Sequence, residues 1–264
     1  MSLSINSATS VSDHPATVAG VRINLPSLQG AVVELVRRAK AGRGFTVFTL
    51  NLDHIVKLRR NSLFRAAYRR ATHVTADGWP IVWLANRAER RVVRTTGADI
   101  VEPLCESAAQ QDLPVYFVGP GEQARTGAIA ALRRRIPSIR IAGAESPVVV
   151  PGACAIHARS ITQRITNSGA RICFVSLGAP KQELLADALS IRCPQVGFVC
   201  VGAALDFISG SAIRAPLWMQ RAGLEWLWRL AGEPRRLSMR YAACAYTFAL
   251  LAFGAKTIPV EAYR

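Results

Sequence analysis

Apolar residues run along this chain in short, unbroken blocks rather than in strict alternation. "FTVFTL" opens "GFTVFTLNLDHIVKL" with Phe45, Val47, Phe48 and Leu50, and "VYFV", "ICFV" and "GFVC" recur further on. Blocks with no polar side predict strands buried on both faces. Between them lie stretches of helical length: about His54 to Arg70, the segment after the Asp77-Gly78 turn, and "TTGADIVEPLCESAAQQ" up to the turn at Asp112. Further helices follow the Gly-Pro-Gly loop of "FVGPGEQ" and the Gly-Ala-Pro loop of "SLGAPKQE". Strands alternating with helices predict an α/β fold, a parallel sheet flanked by helices.

Such a Rossmann-like sheet binds ligands at the carboxyl ends of its strands. Thr49, Asn51, Asp77, Gly119, Gly178 and Gly202 all fall at those ends. From Arg214 the pattern changes: Trp218, Trp226 and Trp228 are interleaved with arginines and no strand signal remains, which predicts a helical appendage. The expected organisation is a disordered lead over 1–19, an α/β core over 20–212 and a C-terminal helical appendage over 213–264.

Charge narrows the partners. There are 33 Lys and Arg against 17 Asp and Glu, a formal net charge of +16. That bias points to nucleic acid, an anionic membrane surface or phosphate-bearing substrates, and says nothing of fold. The clusters are 57–70, 87–94, 133–140 and the C-terminal arginines; 133–140 reads as a solvated helix face. The six cysteines form no C-x-x-C pair and sit mostly in apolar runs, so they read as small buried residues in a reducing compartment. The N-terminus has neither a basic n-region nor an apolar h-region, so no signal peptide is expected. The longest apolar stretch, 241–255, is too short for a span of about 20 residues, and the expectation is a cytoplasmic protein.

Several chemistries lack their signature. There is no G-x-x-x-x-G-K-[ST], no G-x-S-x-G, and "GPGEQA" lacks the third glycine of a dinucleotide fingerprint. The four histidines lack metal-ligand spacing, and no D-x-D suggests a metal-held nucleotide sugar. Phosphate handling is left to backbone amides, helix N-termini and cations. "SLGAPKQE" has the residues to bind phosphate in this way. Gly178 and Pro180 form a small-residue loop, Lys181 adds charge and Gln182 a neutral donor and acceptor. It also fits a plain strand-to-helix turn. "FVGPGEQ", with Gly119, has the same character. Asp-Gly at 77–78 is a common turn pair in which the Asp caps the next helix. With Thr49 and Asn51 ending a neighbouring strand, Asp77 instead becomes a candidate general base facing a shared crevice.

Taken together, "TLNLDHIV", "ADGWPIVW", "RTTGADIVEPL", "VYFVGPGE", "SLGAPKQE", "VGAALDFISG" and "RAPLWMQRAGLEWLWRLAGEPRRLSMRY" resemble the WecG/TagA/CpsF family of bacterial glycosyltransferases, in order, over roughly residues 20–245. The resemblance implies an inverting, metal-independent transfer from a UDP-sugar to a polyprenyl-diphosphate-linked acceptor, at the inner face of the cytoplasmic membrane. The products would feed cell-surface polysaccharide or teichoic acid. Relatives use N-acetylmannosamine, its uronic acid or glucose-type donors, so the sugar stays open.

By position, the resemblance makes Asp77 the catalytic base and places Thr49 and Asn51 in its polar pocket. It puts Arg94 near the donor and makes Gln182 and Asp206 further pocket residues. The appendage would dock on an anionic membrane surface and supply Arg229, Arg236 and Arg240 to the diphosphate. Trp plus Arg on a late helical segment is an interfacial composition, although the three tryptophans also fit a core. Trp79-Pro80 departs from relatives that carry Gly or Met there, which leaves the sugar pocket's shape open. No cofactor or metal is expected, and a homo-oligomer is possible. The alternatives are a basic nucleic-acid-binding α/β protein, suggested by charge alone and lacking a recognisable module, and, more weakly, a nucleotide-dependent oxidoreductase.

Overall fold

The computed structural model describes residues 15–87, 91–150 and 154–254. Six strands form one parallel sheet: β3 (Phe45–Leu50), β4 (His73–Ala76), β5 (Val115–Val118), β6 (Ile141–Glu145), β7 (Ile172–Val175) and β8 (Gly197–Cys200), in the order β4-β3-β8-β7-β5-β6. A short antiparallel hairpin, β1 (Ala16–Val18) and β2 (Val21–Ile23), precedes it. Residues 16–18 were expected in a disordered lead. They are instead paired with 21–23, and Ala16, Val18, Val21 and Ile23 are buried in the core. Residues 1–14 of that lead lie outside the described residues.

The unbroken apolar blocks have their reason in two cores, one on each face of the sheet. Along β3, Phe48 and Leu50 enter one core while Phe45 and Val47 enter the other. The first core is covered by α2 (Leu52–Arg60), α3 (Ser62–Arg70), α7 (Cys154–Ser168) and α8 (Lys181–Arg192). The second is covered by α1 (Leu28–Lys40), α5 (Gly97–Gln110), α6 (Glu122–Arg135) and the short α9 (Ala204–Ser209). Phe117 and Phe174, neighbours across β5 and β7, stack at 5.3 Å. The exposed edge of β4 is closed by Asn24, whose backbone N–H donates to the Val74 carbonyl and whose side chain accepts the Val74 amide at 2.8 Å.

The helix expected over 54–70 is two. Asn61 ends α2 and accepts the Phe64 amide at 2.9 Å, capping α3; a chain rich in helix-forming Leu and Arg hides such a break until the cap is seen. After β8 the chain does more than turn, because α9 intervenes. α1, α7 and α9 were not resolved from the pattern.

Past residue 213 the described residues form three helices: α10 (Leu217–Arg221), α11 (Glu225–Gly232) and α12 (Pro234–Ala252). α12 lies against α2 and against α4 (Trp79–Asn86). The turn before α11 fits closely against α4: Gly223 has φ +73°, and a Cβ there would come within 3.0 Å of the Trp79 Cβ. Among the described residues no helix is long and apolar enough to cross a membrane. All six cysteines are free and buried.

Candidate active site

β3 and β4 run side by side and end together, so the residues just past them share one edge of the sheet. Asn51 and Asp77 sit there. The Asp77 amide donates to the Leu50 carbonyl at 2.8 Å, which extends the strand pairing by one residue and fixes the carboxylate's origin. Asp77 does not cap α4; Gly78 holds that position, with φ +90° and no side-chain cap bond. The Asp77 carboxylate accepts instead from Asn51 Nδ2 at 3.2 Å, while Asn51 Oδ1 accepts the His54 amide and caps α2.

The two residues open onto a cleft of about 1290 Å³, beyond the usual range for a single small-molecule pocket. It lies over the seam between β3 and β8. The helix leaving β3, α2, covers one core and the helix leaving β8, α9, covers the other, which is the switch point where open α/β sheets take ligands. Thr49, Asn51, Asp77 and Arg94 line one side. Gly178, Pro180, Lys181, Gln182, Gly202 and Asp206 line another. Arg229, Arg236 and Arg240 of the appendage complete the wall, as do Trp226 and Trp228. Gly119 is the exception. It is buried beneath the next loop, where a Cβ would meet the Ser176 carbonyl oxygen at 2.4 Å, and Pro120 and Gly121 face the cleft in its stead.

Burial pushes the Asp77 carboxyl up to about 6; the Asn51 hydrogen bond opposes this, the Glu225 charge adds to it, Arg94 opposes and Asp99 adds. Part of its surface still opens to the cleft. A carboxylate with this affinity is ionised at neutral pH and is a better proton acceptor than an ordinary surface aspartate.

Glu225, on α11, carried no role in the sequence reading. It belongs to a four-charge lock: Arg214 meets Asp99 at 2.8 Å and Glu225 at 3.1 Å, and Arg94 lies 3.4 Å from Asp99 and 3.7 Å from Glu225. Asp99 also closes a capping box with Thr96 at the start of α5. The lock ties the appendage to the core beside Asp77.

The three appendage arginines differ. Arg240 donates to Asp53 at 2.6 Å, an acid that also holds Lys57. Burial raises the Asp53 carboxyl, but Lys57 and then Arg240 pull it below its usual value. Arg236 pairs with Glu233 on its own helix. Arg229 has no carboxylate partner among the described residues. Arg240 Nε is buried with no hydrogen-bond partner among them.

Gln182 is buried and fully engaged. Its Oε1 accepts the Gly202 amide at 2.9 Å and its Nε2 donates to Glu183 at 2.8 Å, so it joins the α8 start to the loop after β8. Glu183 is sealed off, and burial pushes it up to about 7. His54, 3.9 Å from Glu183, is driven down to about 3, chiefly by burial, and bonds the Tyr68 hydroxyl at 2.7 Å. The isolated letters "QE" and "DH" gave no sign of this cluster, because its members meet only through the fold. Asp206 lies at the start of α9, and burial raises its carboxyl.

Trp218, Trp226 and Trp228 are not core residues; they are 64%, 45% and 38% exposed. Among the described residues no three His, Cys, Asp or Glu side chains gather as a metal site requires. A family model described as "Glycosyl transferase WecG/TagA/CpsF family" matches residues 16–260, which include the sheet, the cleft and the appendage; the chain belongs to this family and is a glycosyltransferase of cell-surface polymer synthesis.

Proposed function

We propose that the protein moves a hexose-type sugar from a UDP-sugar to a polyprenyl-diphosphate-linked acceptor, with inversion and without a metal, at the inner face of the cytoplasmic membrane. The observation that carries this reading is the Asp77 carboxylate, held by Asn51 in a cleft with room for two substrates. In the proposed step the acceptor hydroxyl oxygen attacks the anomeric carbon. Asp77 takes the hydroxyl proton, the bond from that carbon to the β-phosphate oxygen breaks, and its electron pair leaves with UDP.

The leaving diphosphate needs positive charge. The α8 N-terminus, with Lys181 beside it, supplies amide dipoles and a cation on one side of the cleft. The guanidinium groups of Arg229 and Arg240 line the other and supply donors there. The appendage would hold the cleft against the bilayer with its exposed tryptophans.

The test is ligand-observed NMR with UDP, UDP-N-acetylmannosamine, UDP-glucose and UDP-glucuronate in the absence of metal, followed by UDP release on adding a lipid-linked acceptor. Binding of UDP and one sugar nucleotide supports the reading and names the donor. No binding by any of them, with the appendage intact, refutes it.

A further inference from the structure

Just outside the cleft, α4 carries Trp79, Val82 and Trp83. The rings of Trp79 and Trp83 stack at 6.3 Å with 14° between their planes, and Phe248 of α12 closes on both at 5.4 and 5.5 Å. Despite these contacts Trp79 is 49% and Trp83 41% exposed. Beside them is a trough of about 360 Å³ lined by Trp79, Val82, Trp83, Asn86 and Arg87.

Apart from the Arg87 guanidinium, the trough offers little to a polar guest. Asn86 spends both ends of its amide on Val92, donating to its carbonyl at 3.0 Å and accepting its N–H at 2.8 Å. Arg87 lies over the Trp83 ring at 5.1 Å and donates to the Ala252 carbonyl at 2.5 Å. A sugar or peptide placed against the two rings would find few partners for its polar groups. A hydrocarbon chain has no polar group to satisfy and is favoured by the apolar area it covers.

The trough adjoins the cleft. Trp79 lines both, and it stands two residues past Asp77. One side chain therefore separates the cleft at Asp77 from an apolar surface on which the tail of a long substrate could lie. We propose that the trough formed by Trp79, Val82 and Trp83 holds the isoprenoid chain of the acceptor, next to the diphosphate end in the cleft. This rests on the acceptor being lipid-linked, as proposed above.

The experiment is calorimetric titration of the full chain with farnesyl diphosphate, inorganic pyrophosphate and UDP, with phosphatidylglycerol vesicles as a separate arm. Farnesyl diphosphate is expected to bind at least ten-fold more tightly than pyrophosphate. Trp83→Ala is expected to erase that advantage and leave UDP affinity unchanged, and Trp83→Phe to keep most of it, which separates loss of the ring from loss of the fold. Equal binding of farnesyl diphosphate and pyrophosphate overturns the proposal, as does an undiminished advantage in Trp83→Ala. If Trp83→Ala weakens binding to vesicles free of isoprenoid as much as it weakens farnesyl diphosphate binding, the trough is a general bilayer contact and the assignment falls. If ending the chain at residue 254 raises farnesyl diphosphate affinity ten-fold, residues 255–264 are the trough's occupant, and it falls again. UDP binding reads the transfer site separately: its loss with farnesyl diphosphate binding intact counts against the proposed reaction and not against the trough.

Discussion

Asn51 Nδ2 donates to Asp77 Oδ2 at 3.2 Å across the ends of two parallel strands, and the same Asn51 side chain caps the helix that follows its own strand. One amide thus fixes both the Asp77 carboxylate and the backbone beside it. Its second bond orients it: with Oδ1 committed to the His54 amide, only the NH₂ can face the carboxylate.

Asp77→Asn removes the base and leaves its shape. Turnover is expected to fall by about 10²–10⁴, with UDP affinity nearly unchanged, since the lost interaction acts on the acceptor proton. Stability is expected to move the other way. The Asp77 carboxyl is raised in the folded protein, so its folding contribution is full below the unfolded value near 3.8 and is lost as pH rises through about 6. At pH 7.5 the ionised side chain costs stability. The amide variant should gain about 1–2 kcal/mol, less than the full shift because the group is partly open to solvent. Steady-state kinetics and thermal melting on one preparation check both; a variant that melts lower and turns over normally would remove Asp77 from the mechanism.

The rate should carry an acidic limb near pH 6, rising as Asp77 ionises. Glu225 adds to the upward shift of Asp77, so Glu225→Gln is expected to move that limb to lower pH. It should also loosen the appendage, because Arg214 and Arg94 lose a carboxylate. A pH–rate profile of kcat/KM for the two proteins gives the answer. An unmoved limb would mean that Asp77 and Glu225 do not sense each other.

Arg229 and Arg240 should separate binding from docking. Arg240→Ala breaks the bridge between α12 and Asp53, and is expected to cost about 1 kcal/mol of stability, to speed proteolysis of the appendage and to lower kcat/KM. Arg229→Ala breaks no ion pair among the described residues, so it is expected to lower kcat/KM about ten-fold with the melting temperature unchanged. Equal melting losses in both would assign the two arginines the same structural part.

Glu183 predicts a pH-dependent stability. Its carboxyl is raised to about 7 by burial, so the contribution is full below about 4.5 and is lost as pH rises through 7. The wild-type melting temperature is expected to drop between pH 5 and 8, and Glu183→Gln, a neutral isostere, to flatten much of that drop. Differential scanning calorimetry at several pH values checks it; parallel curves for the two proteins would show that Glu183 does not titrate in this window.

Much of the sheet was legible because its strands are buried on both faces, and a strand with no wet side must be written in unbroken apolar letters. Asp77, Asn51 and Thr49 were legible for a related reason: polar residues at the ends of such runs stand at the sheet's carboxyl edge. Three-residue strands carry too little pattern to read, so the hairpin over 16–23 was missed. The helix over 54–70 was read whole because Asn61 marks a break only through the amide it caps.

The sequence by itself determined the alternation of strand and helix, the change of character near Arg214, the small-residue loops and the family motifs, since these depend on local spacing and composition. Only the tertiary structure decided the partners. It paired Arg214 with Asp99 across 115 positions and Arg240 with Asp53 across 187. It turned Gln182 inward to Gly202, buried Gly119 under Ser176 and set Trp79 between cleft and trough. Which charges meet, and which carboxyl is raised by burial, depends on contacts between distant segments, and those exist only once the two cores have brought the segments together.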